Sequence, residues 1–244
     1  MKNIFIVGAT SGIGLELALQ YAQRGDRVAA AGRNTDKLKE LEHSYPGQIF
    51  AVPLDISISE DIPPAFDSAL NQLGRLDLII MSSSINVRNR ELEPLPEEEL
   101  IHINVRGYTL VLNRAMNYFE AQGGGQLAGI TSIARFIASK SPGYSASKAW
   151  EAIYLEGLRI LRPHPSITVT EIIPGFVRTP LIRSRRSLFW VTPVEKAAAQ
   201  IIHGLDRRSE TIYVSRRWRA VRWLIAILPR TLLRQIMIRK DNRA

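Results

Sequence analysis

The chain has 244 residues, 45% hydrophobic and 23% charged, proportions of a folded soluble domain with a sizeable core. It contains no cysteine, which excludes disulfides and thiolate metal sites and suits a reducing compartment, so the expected location is the cytoplasm. The net charge of +9 is uneven: residues 1–177 carry 16 Lys and Arg against 19 Asp and Glu, residues 178–244 carry 16 against 4. A basic end of this kind points to a surface, an anionic partner or a partner subunit rather than to a nucleic-acid groove.

In chain order, the apolar run Ile4–Val7 predicts a first strand, so close to Met1 that no signal or transit sequence is expected before it. The turn Gly8-Ala9-Thr10-Ser11-Gly12-Ile13-Gly14 then opens a helical pattern near 13–24. Glycines between a strand and a helix suit a dinucleotide pyrophosphate, and equally serve tight turning alone. The next strand, Val28–Ala31, ends at Gly32-Arg33-Asn34, where a site preferring NAD would carry an acid for the ribose hydroxyls. Arg33 instead suits a 2′-phosphate through charge-assisted hydrogen bonds, which favours NADP(H) over NAD(H); a solvated surface arginine is the alternative.

Helix 36–44 and strand Ile49–Val52 follow, then Asp55, which either reaches an adenine edge or caps a helix starting near Ser57. Capping is the simpler reading of the residues alone. A helical pattern over 58–73 leads to strand Leu76–Ile80 and the segment Met81-Ser-Ser-Ser84. A long helical stretch, 97–120, holds Asn104; after Gly123-Gly-Gly125 comes strand Leu127–Ile130, with Thr131 and Ser132 at its carboxyl end. In Tyr144-Ser-Ala-Ser-Lys148, opening a helix over 144–162, the phenol and the ammonium share one helical face. A tyrosine normally keeps its proton to about pH 10, and a neighbouring cation favours its ionised form. Strand Ile167–Ile173 delivers Pro174-Gly175-Phe-Val177-Arg-Thr179 to the same sheet edge; helix 193–206 and strand Thr211–Val214 complete the pattern. Apolar strands alternating with helices predict a doubly wound parallel sheet in an α/β three-layer sandwich, ligands meeting it at the carboxyl ends of the strands.

With these residues in order, the chain resembles the short-chain dehydrogenase/reductase family in its classical form, over about residues 3–215. The resemblance implies a hydride transfer between a nicotinamide dinucleotide and a carbonyl/alcohol substrate. It implies Tyr144 as the acid/base, and Lys148 as the residue that lowers the tyrosine pKa and holds the nicotinamide ribose. It implies Ser132 as a hydrogen-bond donor to the substrate oxygen, with Thr131 the neighbouring alternative, and Asn104 as the holder of a relay water. Thr179 would anchor the nicotinamide carboxamide or a phosphate, and Gly8, Thr10, Ser11, Gly12, Ile13, Gly14, Arg33, Asp55, Pro174, Gly175 and Val177 would line the cofactor site. Met81-Ser-Ser-Ser84 departs from the family's Asn-Asn-Ala-Gly. A homodimer or homotetramer through the helices near 104–120 and 144–162 is also implied.

Two regions remain. By position Pro180–Trp190 resembles the family's variable substrate loop: Arg183, Arg185 and Arg186 would attract an anionic substrate, Phe189 and Trp190 would cover an apolar or lipid-like one, and a solvated loop is the alternative. Residues 216–244 form a basic, apolar helical extension around Pro229, which either docks on an anionic membrane surface or packs on the core, the cleft or another subunit. No stretch reaches the roughly 20 apolar residues of a membrane span, no nucleic-acid motif accompanies the charge, and His43, His102, His164 and His203 have no ligand spacing, so no metal is expected. An NAD-dependent alcohol or polyol dehydrogenase and a catalytically silent dinucleotide-binding sensor or scaffold are the competing functions.

Overall fold

The computed structural model describes residues 1–87, 89–161, 163–181 and 190–239. Seven parallel strands form one sheet: β1 (Asn3–Val7), β2 (Arg27–Gly32), β3 (Ile49–Pro53), β4 (Leu78–Met81), β5 (Gly125–Ile130), β6 (Ile167–Pro174) and β7 (Thr211–Val214), in the order β3-β2-β1-β4-β5-β6-β7. All four residues of β4 and all six of β5 are buried. That is why these strands read as apolar runs without alternation: both faces are covered.

On one face lie α1 (Gly12–Gln23), α2 (Thr35–Ser44) and α7 (Val194–Asp206); on the other lie α3 (Ile62–Leu73), α5 (Tyr108–Gln122) and α6 (Pro142–Leu161). Leu17, Ala18, Tyr21 and Ala22 of α1 form the helical stripe that meets the core containing Ile4, Ile6, Ile80 and Ile201. Phe5, Phe66, Leu112 and Leu155 fill the opposite layer, Phe5 and Phe66 meeting edge to face at 5.7 Å. Each such side chain, fully buried, contributes about 1.5–3 kcal/mol. Local signals set the helix starts. Asn34 caps α2 by accepting from the Lys37 N–H at 3.0 Å, and proline occupies the first turns of α3 and α4 (Pro94–Ile101).

The helix expected over 97–120 is three pieces: α4, a π-helical stretch His102–Gly107, and α5. The wide turn lets Gly107 pass close to the Ile56 carbonyl, where a β-carbon would collide. The helix expected from 58 begins as a 3₁₀ turn, Ser59–Asp61. Asp55 caps neither element. Its Oδ1 closes a turn on the Ser57 N–H (2.9 Å) and Oγ–H (2.8 Å), which corrects the helix-cap expectation.

The basic extension folds as α8 (Arg217–Ile227) and α9 (Arg230–Arg239), parted at Pro229 as expected. Its first turn is part of the core: Trp218 is buried against Phe176, and the Arg222 guanidinium donates to Tyr213 Oη at 3.2 Å. Among the described residues no helix is long and apolar enough to cross a membrane.

Candidate active site

β1 is hydrogen-bonded to β2 on one side and β4 on the other, and the chain leaves it in opposite directions across the sheet. This switch point opens a crevice at the carboxyl ends of the strands, here a cleft of about 910 Å³. The glycine turn forms one end. Gly8 and Gly12 have φ of +92° and +56°, values L side chains rarely adopt. A β-carbon on Gly8 would stand 2.6 Å from the Ser83 N, and one on Gly14 would collide with the Gly8 carbonyl. The glycines therefore let β1, the β4–α4 segment and the start of α1 converge. Ser11 precedes α1 without a side-chain cap, and no acid lies in the first helical turn, so the first N–H groups and the positive end of the helix face the cleft unopposed. Thr179 lies over this helix start: a β-carbon on Gly12 would meet its side chain at 3.4 Å. Thr10, Ile13, Pro174, Gly175 and Val177 also line the cleft.

Arg33 and Asp55 stand at the ends of β2 and β3. The Arg33 guanidinium is more than half exposed, lines the cleft and lies 3.9 Å from Asp55 Oδ2. A phosphate there would meet a cation whose present partner is distant. The residues thus fit a dinucleotide: a helix start for the diphosphate, and a guanidinium and a carboxylate at the adenosine end.

At the other end, Tyr144, Lys148 and Ser132 line the cleft together. Tyr144 and Lys148 share a face of α6, with Nζ 5.7 Å from the phenol ring centre. Ser132 caps the 3₁₀ turn Ile133–Phe136: its Oγ accepts from the Ala134 N–H at 3.1 Å, leaving its own O–H free to donate. Thr131 is committed elsewhere. Its hydroxyl faces Glu171 Oε1 at 2.8 Å in the core, so of the two adjacent hydroxyls Ser132 is the one available in the cleft.

Asn104 lies in the π-helical stretch that separates α4 from α5. It is fully buried; Oδ1 accepts from the Ile85 N–H (2.9 Å) and the Ser84 Oγ–H (3.2 Å), while Nδ2 donates to the Ile85 carbonyl (2.9 Å) and Ser147 Oγ (3.1 Å). Both acceptor positions and both donors are used. The side chain ties the unusual serine segment to α6. Ser82 supports the same segment by donating its N–H to the Val7 carbonyl at 2.8 Å.

Three groups beneath the cleft went unnoticed in the sequence. Lys148 Nζ, 2% exposed, donates to the Ile130 carbonyl at 3.1 Å and to Glu151 Oε1 and Oε2 at 3.0 and 2.8 Å. Glu151 has no exposed surface, and burial pushes its carboxyl up from 4.5 to about 7, the charge and hydrogen bond of Lys148 opposing and Glu171 adding. Arg135 forms an ion pair with Glu171. The three-residue spacing of Lys148 and Glu151, and a carboxylate inside the apolar strand β6, were the available signals. Of the expected substrate loop, residues 183, 185, 186 and 189 lie outside the described residues. Trp190 is described: it stacks edge-on near Trp218, ring centres 6.0 Å apart.

Residues 2–188 match the sequence model of the family described as short chain dehydrogenase. An uncharacterized oxidoreductase of Staphylococcus aureus is 30% identical over 182 residues, covering 73% of this chain and 79% of that protein. Among solved structures, a 3-ketoacyl-(acyl-carrier-protein) reductase from Brucella melitensis complexed with NADH superposes with a TM-score of 0.80 at 23% identity, over 87% of this chain and 96% of that one. A short-chain dehydrogenase from Sphingobium yanoikuyae in complex with NADPH does so with 0.79, also at 23%, over 94% and 97%. The chain belongs to the short-chain dehydrogenase/reductase family and is an oxidoreductase of that class.

Proposed function

We propose that the protein is an NADP(H)-dependent reductase of an apolar carbonyl compound, with Tyr144 as its acid. The observation that carries the reading is the convergence of Tyr144, Lys148 and Ser132 on one end of a cleft whose other end is the glycine turn and Arg33. When bound, NADPH supplies the hydride. Tyr144 gives its proton to the substrate oxygen, and Ser132 donates a hydrogen bond to the same atom as negative charge grows on it. The Lys148 ammonium favours the phenolate left behind. At the far end, Thr179 and the first N–H groups of α1 hold the diphosphate, and Arg33 holds the 2′-phosphate. Ile137, Leu181 and Phe176 in the lining of the cleft support an apolar substrate. Screening ketones and aldehydes of graded chain length with NADPH and NADH, by loss of reduced-nicotinamide absorbance, tests the reading. Reduction of longer apolar carbonyls with NADPH is expected; a preference for NADH, or no turnover of any of them, refutes it.

The reading extends to location and assembly. Trp223, Leu224 and Ile227 form an exposed apolar face on α8, flanked by Arg216, Arg219, Arg222 and Arg230, with no acid between Glu210 and Asp241. Such a face suits the interface of an anionic bilayer, each nearby cation adding about 1 kcal/mol. Flotation with phosphatidylserine vesicles should recover the full-length protein and lose the Trp223→Asp, Ile227→Asp variant, which leaves Trp218 in place; equal recovery ends the membrane assignment. Ile153, Ile160 and Leu161 are exposed on α6 and support a homo-oligomer through α5 and α6, which light scattering on an eluting peak measures.

A further inference from the structure

The carboxylates beneath the cleft take no part in the proton and hydride movements above, yet one of them touches the machinery directly. Glu151 sits one helical turn beyond Lys148, on the side away from Tyr144, with both oxygens on the ammonium. Burying two opposite charges costs several kcal/mol of desolvation per ion, and an apolar side chain of similar size would satisfy the packing at least as well. The charged groups facing Glu151 come from every element around it. On α6 itself Lys148 touches it, and Tyr144 stands a turn earlier on the far side of the ammonium. From α5 comes Tyr108, wholly buried, whose own ionisation is pushed far up by burial and by both carboxylates. From β6 comes Glu171, which Arg135 of the 3₁₀ turn neutralises.

We propose that Glu151 is a positioning residue for Lys148: it fixes Nζ against the Ile130 carbonyl and, when ionised, offsets the ammonium charge that reaches Tyr144. The proposal rests on the reading of Tyr144 and Lys148 as the acid–base pair. With Glu151 ionised, the buried pair is neutral overall and the phenol feels a partly cancelled cation. With Glu151 protonated, which its burial allows up to about pH 7, the whole charge of Lys148 acts on the phenol. The proton on Tyr144 and the proton on Glu151 are thereby linked through one ammonium.

Tyrosinate absorbance tests this without a substrate. Titrations of the full-length protein and of its Tyr144→Phe variant are subtracted, so that a single phenol is read, and the pair is repeated in the Glu151→Gln background. Glu151 lies seven residues along α6 from Tyr144, roughly 10 Å of helical rise. Removing a unit charge at that range should bring the Tyr144 midpoint down by about one pH unit. A midpoint that stays put or rises overturns the proposal, since a merely structural carboxylate would change stability and leave the phenol alone. If the Gln variant fails to fold, Glu151→Met replaces charge with an apolar chain of like length and carries the same expectation. The two readings fail separately. A Tyr144→Phe enzyme that keeps its turnover removes the acid–base pair itself; one that loses turnover while the midpoint is unmoved removes only the role of Glu151.

Discussion

The indole of Trp218 occupies the space where a β-carbon on Gly175 would stand, so the first turn of α8 and the loop Pro174–Thr179 beside the cleft are packed as one piece. Gly175 lines the cleft, and its N–H donates to the Val214 carbonyl at 2.7 Å, tying the same loop to β7. The first turn of the basic extension therefore backs a loop that lines the cleft.

Trp218→Ala should cost about 3–5 kcal/mol in denaturant unfolding, the range for deleting a large buried aromatic. Its cofactor affinity should fall as well, because the Pro174–Thr179 loop loses its backing. Isothermal titration with NADPH on the folded variant checks the second half; full affinity in a destabilised protein would separate this packing from the site.

Arg33→Ala should weaken NADPH binding by about 10–100-fold, the scale of a charge-assisted hydrogen bond lost to a phosphate, and leave NADH almost unchanged. Asp55→Asn should move NADPH affinity the other way by a smaller factor, because it frees Arg33 from its 3.9 Å partner. Both are read as dissociation constants from nucleotide fluorescence. Equal losses for the two nucleotides in Arg33→Ala would mean that the guanidinium holds something other than the 2′-phosphate.

Much of this was legible before the structure. The seven strands announced themselves because a sheet covered on both faces demands continuous apolar runs, and the glycine turn, Ser132, Tyr144 and Lys148 were informative through their order along the chain, since a Tyr-x-x-x-Lys pair alone is common on helix surfaces. Other features were hidden by physics that acts across elements. The π-helical stretch at His102–Gly107 keeps an unbroken helical pattern, and only the close pass of Gly107 beside the Ile56 carbonyl explains the wide turn. Glu151 reads as a solvent-facing polar position on an amphipathic helix until Lys148 is seen buried beside it. Trp218 sits among arginines, and the sequence alone does not separate it from Trp223, which faces outward.

Stability should fall as pH rises from about 4.5 towards 7. The Glu151 carboxyl titrates near 4.5 when exposed and near 7 when folded, so across that window the folded state holds a proton that the unfolded chain has released. The contribution is complete below the unfolded value and is lost as the folded group ionises. Glu151→Gln removes this dependence, and melting temperatures measured at half-unit steps should flatten between pH 5 and 7. An identical slope in both proteins would place the titration on another group.

Asn104→Ala should lower stability by about 1–3 kcal/mol for each buried partner left without a bond, the Ile85 N–H and carbonyl among them. Asn104→Asp sets a carboxylate oxygen against the Ile85 carbonyl and buries a charge, so a loss at least as large is expected in thermal melts. A neutral effect from either would show that the serine segment holds its place unaided.

Hydride transfer by the Tyr144→Phe enzyme, followed in a single turnover with saturating NADPH and a carbonyl substrate found in the screen, is the decisive measurement. The predicted result is a rate at least ~10²-fold below that of the unaltered protein, with NADPH affinity preserved. A variant that transfers hydride at nearly the original rate would contradict the assignment of Tyr144 as the acid.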